Sequence, residues 1–279
     1  MTYRSIFVHV DDTDQTDLRL DAATRLARHY PAELTGAYVV STRDLTPTES
    51  ALLPPDLVRA RMGTVAQAQK DAEHRFRQAA AAAGIKSVQW RAPAGDPVDA
   101  AVMQARYSDL AVLGQPMRKG PDAAFSTEVA NAVVMDSGRP LLFVPYIGAG
   151  KTLGERILIA WKDSRESARA VADALPFLKD AKAVLAIAVA PRDDESVQEY
   201  VSDKAVEGFL RRHNVDATVN RMVAPDIASG EFLLSRAADF GADLIVMGGY
   251  SRPRLSRLVW GGVSNLMLES MTVPVLMSH

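Results

Sequence analysis

Short, wholly apolar runs alternate along this chain with stretches of helical periodicity. Ile6–Val10 is rich in β-branched residues and bounded by polar positions, which predicts a buried strand. Thr16 to His29 follows as a helix, with Leu18, Ala22 and Leu26 at i, i+4 and i+8 on one face. Strands are then predicted at Leu34–Val40, Ser87–Ala92, Leu110–Leu113 and Leu141–Val144. Helices are predicted between them at Thr64–Ala83 (closed by Gly84 as a C-cap), Pro97–Tyr107 and Ser126–Asp136. The remainder reads the same way: strands at Ile157–Trp161, Val184–Val189, Thr218–Val223, Leu244–Met247 and Val275–Met277, with helices from Arg165, over Val197–His213, over Gly230–Phe240 and from Gly261.

The pattern occurs twice. Ile6-Phe7-Val8-His9-Val10-Asp11-Asp12-Thr13 matches Ile157-Leu158-Ile159-Ala160-Trp161-Lys162-Asp163-Ser164 at a spacing of 151 residues. Asp109-Leu110-Ala111-Val112-Leu113-Gly114 matches Asp243-Leu244-Ile245-Val246-Met247-Gly248 at a spacing of 134. Val129, Asn131 and Pro140 keep that second spacing against Val263, Asn265 and Pro274. The difference of 17 residues is an insertion in the first copy, placed at Arg43–Gly63, where Pro47, Pro54 and Pro55 break regular structure. The expected division is 1–146, a linker at 147–154, and 155–279.

Alternating strands and helices with fully apolar strands predict an α/β fold: two doubly wound parallel-sheet domains, covered on both faces. Ligands of such sheets bind beyond the strand C-termini, where strand order reverses. The ends of the first strand (Asp11, Lys162) and of the fourth (Gly114, Gly248) therefore share one crevice in each copy.

Composition narrows the possibilities. A formal charge of −2 leaves no basic stripe for nucleic acid. Without cysteine there is no disulfide framework and no thiolate chemistry. No run approaches the roughly 20 apolar residues that span a bilayer, and the start has no apolar signal core. A cytoplasmic protein is expected.

Gly148-Ala149-Gly150-Lys151-Thr152 imitates a phosphate loop. The loop's leading glycine position holds Pro145, and the segment runs into a strand where a helix is required, so a linker is expected. Asp239-Phe240-Gly241 spells a kinase signature without its companions. His9, His29, His74, His213 and His279 lack ligand spacing, and no metal site is expected. Asp11, Asp12 and Asp14 read either as a solvated loop or as a Mg²⁺ ligand set beside a nucleotide. No catalytic Ser-His-Asp or Cys-His set can be assembled.

The glycine cluster of the second copy is more informative. Gly248-Gly249 ends a strand, and Gly261-Gly262-Val263-Ser264 opens a helix after a loop carrying Arg252, Arg254 and Arg257. A glycine turn and a helix N-terminus facing a crevice make an anion site; the same glycines also serve tight turns and close helix–sheet packing.

These features resemble the universal stress proteins, in particular their tandem members. The family pattern is Gly, two residues, Gly, nine residues, Gly, then Ser or Thr, with an Asp ending the first strand. Gly248 and Gly261 match; Ser251 replaces the second Gly, Gly262 the Ser or Thr, and Lys162 the Asp, with Asp163-Ser164 following. In the first copy Asp11 remains beside Asp12 and Gly114, but Gly114-Gln115-Pro116-Met117 lacks the second glycine and Thr127-Glu128 replaces the glycine pair.

The resemblance implies strand order 3-2-1-4-5, a fold of the adenine-nucleotide alpha-hydrolase type, and a pseudo-twofold tandem in which Leu141–Val144 pairs with Val275–Met277. It also implies a stress-related regulatory protein rather than an enzyme, with at most weak ATP hydrolysis. An ATP or AMP site would use Ala160, Trp161, Lys162, Asp163, Val189, Met247, Gly248, Gly249, Ser251, Arg252, Gly261, Gly262, Val263 and Ser264, with Mg²⁺ only alongside a nucleotide. The three departures favour loss of that binding and an interaction role. The first copy is expected to be a scaffold. Expected partners are the chain itself, including a homodimer through the insertion, and other proteins, with neither nucleic acid nor membrane.

Overall fold

The computed structural model describes residues 2–41, 54–190, 197–223, 229–249 and 262–279. Residues pack into two compact units, Tyr3–Ser137 and Gly138–His279.

The first unit contains β1 (Ser5–Val10), α1 (Gln15–His29), β2 (Glu33–Tyr38), α2 (Pro55–Ala82), β3 (Val88–Arg91), α3 (Pro97–Arg106), β4 (Leu110–Gly114) and α4 (Ala123–Asp136). Its strands are parallel in the order β3-β2-β1-β4, with Ile6 beside Leu34 on one side and Leu110 on the other. Ile6, Phe7, Val8 and Leu110–Val112 are fully buried, as strands covered on both faces must be. Gly36 lies under Phe76 of α2, so close that a Cβ would stand 2.7 Å from the ring. The long helix is thereby seated on β2. Asp96 caps α3 by accepting the N–H of Val98 and Asp99 at 2.8 and 3.0 Å.

The second unit contains β5 (Leu141–Val144), β6 (Arg156–Trp161), α5 (Arg165–Asp173), α6 (Leu175–Asp180), β7 (Ala183–Ala190), α7 (Val197–Arg212), β8 (Ala217–Val223), α8 (Ser229–Phe240), β9 (Leu244–Gly248), α9 (Gly262–Ser270) and β10 (Val275–Ser278). Its strand order is β5-β10-β9-β6-β7-β8. The expected order 3-2-1-4-5 is complete here as β8-β7-β6-β9-β10, all parallel. β5 pairs antiparallel with β10, with Leu142 opposite Leu276 and Phe143 opposite Val275.

One expectation needs correction. Pro54 and Pro55 do not break structure: Pro55 is the first residue of α2, where its missing N–H costs nothing and its fixed φ suits a helix. The helix therefore starts nine residues before Thr64, within the proposed insertion; positions 43–53 of that insertion lie outside the described residues. The helix from Arg165 stops at Asp173, and a separate turn, α6, begins with Pro176 in its first positions.

The glycines of the phosphate-loop imitation adopt positive φ, 81° at Gly148 and 67° at Gly150, in a segment that enters β6 without a helix. Gly241 of the kinase-like triplet takes φ 65° in the turn between α8 and β9. Both stretches are turn chemistry. Among the described residues no helix is long and apolar enough to cross a membrane.

Candidate functional site

Strand order reverses between β1 and β4 in the first unit and between β6 and β9 in the second. The C-terminal ends of these pairs form the two crevices.

In the second unit Ala160 and Trp161 end β6, half-buried, and Lys162 and Asp163 follow in the exposed turn before α5. The Lys162 N–H donates to Ser167 Oγ at 3.3 Å. Ser164 caps α5, its Oγ accepting the Ser167 N–H at 3.2 Å. Met247, one residue before the end of β9, is buried in the core. Gly248, the last residue of β9, lies against the first turn of α5, where a Cβ would stand 2.6 Å from the Ser167 nitrogen. Close approach of two backbones is what this glycine permits.

Gly249 donates its N–H to the Ser278 carbonyl at 2.9 Å, and its own carbonyl lies 3.2 Å from His279 Nδ1. Gly262 opens α9, and a Cβ there would meet nothing among the described residues; Val263 is exposed and Ser264 buried. Val189 lies near the end of β7, in register with Met222. Ser251, Arg252 and Gly261, with Arg254 and Arg257, lie outside the described residues.

Nothing in the sequence pattern marks Glu166. Its carboxylate is buried and accepts from Arg165 Nε at 2.5 Å. Burial pushes its pKa up, but the hydrogen bonds from Arg165 and Ser164 outweigh that and hold it below the usual carboxylate range.

The first crevice differs. Asp11, just past β1, accepts at Oδ1 from the Thr13 N–H (3.0 Å) and the Thr13 hydroxyl (2.6 Å). Arg19 Nη2 lies 2.6 Å from the same oxygen and 2.6 Å from Thr16 Oγ1, while Arg19 Nε donates to the His9 carbonyl at 3.0 Å. Arg19 is 4% exposed. Its guanidinium fills the space at Gly114, where a Cβ would meet Nη1 at 2.8 Å. Asp12 accepts from the Tyr38 hydroxyl at 2.8 and 2.9 Å. Burial, then Asp12, then Asp11 push the Tyr38 hydroxyl well above its usual pKa.

His9 is buried, and its Nε2 lies 2.7 Å from the Val39 carbonyl, so that nitrogen carries the proton. Burial and the Arg19 charge lower its pKa despite Asp11 nearby. Asp11 itself would be raised by burial, but Arg19, His9 and the Thr13 hydrogen bond hold it well below the carboxylate range. Nothing in the spacing of Arg19 marked it as buried; its alternation with apolar positions on α1 was the one available hint. Among the described residues, no three His, Cys, Asp or Glu side chains cluster closely enough to hold a metal ion.

Doubly wound α/β repeats with a crevice at each switch point define a class of small-ligand-binding folds. The chain belongs to the universal stress protein family, whose profile matches residues 2–145 and again 154–279. A universal stress protein from Archaeoglobus fulgidus is similar at 18% identity and TM-score 0.76, covering 98% of this chain and 95% of that one. A putative universal stress protein from Pseudomonas aeruginosa gives 18% and 0.60, with 99% and 93% covered. The cytoplasmic domain of a prokaryotic cation chloride cotransporter shares the fold at 12% and 0.54, with 99% and 95% covered. No curated protein matches in sequence.

Proposed function

We propose that this chain is a stress-response regulatory protein of the cytoplasm, without robust catalysis, whose second repeat retains a degenerate adenine-nucleotide crevice. Family membership supports the stress-response role. The observation that carries the finer reading is Lys162. It stands exposed at the end of β6, at the position equivalent to Asp11, so a hydrogen-bond donor replaces the carboxylate that would accept from ribose hydroxyls. Work then passes to protein partners or to a homodimer.

Titration calorimetry with ATP and with AMP at low salt tests this. Absence of heat up to ~1 mM ligand is expected, and a Kd below ~10 μM for either nucleotide overturns it. Steady ATP turnover abolished by substitution at Gly248 would overturn the non-catalytic reading.

A second reading, ATP or AMP binding through Gly248 to Ser264, is favoured by Gly262 at the start of α9, where a Cβ would meet nothing among the described residues. Mg²⁺ would enter only with the nucleotide.

A further inference from the structure

The two crevices are built on one frame. In both repeats the residue after the first strand donates its N–H to a hydroxyl five positions on: Asp11 to Thr16 Oγ1 at 3.2 Å, Lys162 to Ser167 Oγ at 3.3 Å. The fourth strand ends in a glycine in both, Gly114 and Gly248. What differs lies one helical turn deeper. The position of Arg19 in the first repeat is held by Ala170 in the second, fully buried beneath the same loop.

That difference is not demanded by the frame, because the second repeat closes the same turn with a methyl group. With Ala170 there, α5 comes into direct contact with Gly248. With Arg19 there, a guanidinium stands between α1 and Gly114 and reaches both lips of the switch point. It donates to the His9 carbonyl on β1, pairs with Asp11 just beyond β1, and lies against Gly114 at the end of β4. A buried arginine is costly unless its donors find acceptors, and here the His9 carbonyl takes Nε while Asp11 and Thr16 Oγ1 take Nη2.

We propose that Arg19 is an internal occupant of the first repeat's crevice, an autoinhibitory contact that shuts it to nucleotide by neutralising Asp11 and filling the space at Gly114. The closure rests on the geometry; the ligand it excludes rests on the adenine-nucleotide reading of the family crevice. The hydroxyl-lined carboxylate it covers is the acceptor set a ribose would need. Removing the guanidinium while keeping the frame uncovers that set.

The test uses the full chain with Arg19→Ala, Arg19→Met (which keeps the aliphatic stem) and each combined with Asp11→Asn. Photolabelling with 8-azido-ATP and peptide mapping reads the two repeats separately. The parent is expected to carry only background label within residues 3–137. Arg19→Met is expected to gain label near β1 and β4 by about tenfold or more, and Asp11→Asn to abolish the gain. Independently of nucleotide, millimolar methylguanidinium is expected to raise the melting temperature of Arg19→Ala and not that of the parent or of the Asp11→Asn double variant.

A methylguanidinium response without labelling upholds the plug and sinks the nucleotide reading of this crevice. Folded variants that show neither response overturn the proposal. Label on the parent's first repeat overturns it, and so does failure of both Arg19 variants to fold, since the pair would then be a folding element.

Discussion

Asp243 accepts the main-chain N–H of Arg156 at 2.9 Å, immediately before β9 and at the first residue of β6. The same carboxylate accepts from Gly154 and Glu155 at 3.1 Å each. Asp109 does this for Arg4 and Ser5 in the first repeat, at 2.7 and 3.0 Å. One carboxylate thus fixes the start of the central strand against its neighbour in each repeat. Asp243→Ala is expected to cost about 1–3 kcal/mol, because amide donors lose a charged acceptor. Asp243→Asn should cost less, since its amide oxygen still accepts. Urea unfolding of the two variants beside the parent checks the order.

Gly248→Ala and Gly114→Ala should differ. At Gly248 the added methyl meets the α5 main chain, which can move only with its helix. At Gly114 it meets the end of the Arg19 side chain, which can shift. The loss at Gly248 is expected at the upper end of ~1–3 kcal/mol and the loss at Gly114 below it. Thermal unfolding of both decides; equal losses would contradict the packing difference between the repeats.

Acid should act on the first repeat in two stages. His9, held below its ordinary 6.5 by burial and by Arg19, stays neutral when folded and takes a proton when unfolded, so its contribution is full above pH 6.5 and lost as pH falls. Asp11, held below its ordinary 3.8, adds a contribution that is full above that value and lost under it. The urea midpoint is expected to be level above about pH 7, to decline below it, and to steepen under about pH 4. His9→Gln should remove the first decline and Asp11→Asn the second.

Reversing the departures in the second repeat should recover nucleotide. The triple variant Lys162→Asp, Ser251→Gly, Gly262→Ser is expected to bind ATP at least about tenfold more tightly than the parent by calorimetry. No gain would move the cause of weak binding away from these positions.

Much of the fold was legible because it rests on apolar strands and on two spacings. Ile6–Val10 and Ile157–Trp161 fall within β1 and β6, and Asp109 and Asp243 recur in equivalent roles. Pro55 is ambiguous in sequence because proline ends a helix from within and starts one from its first position, and sequence order alone does not say which. The site was less legible. Arg19 reads as a solvated charge on an amphipathic helix; only the placement of Asp11, Thr16 and the His9 carbonyl around it in space makes its burial tolerable. Gly248 kept the family letter, yet its space is taken by a neighbouring helix, a fact of packing that no spacing contains.

β5 comes from the first repeat in sequence but is packed with the second, along β10. The unit of duplication and the unit of cohesion are therefore out of phase by one strand. A fragment cut at the sequence repeat, after residue 146, carries away the strand that covers β10 and leaves the other half with a bare apolar edge. Cut before Gly138 instead, and that half keeps its own hem. An exchange of repeats at residue 146 would therefore give β5 a new partner strand opposite Leu142.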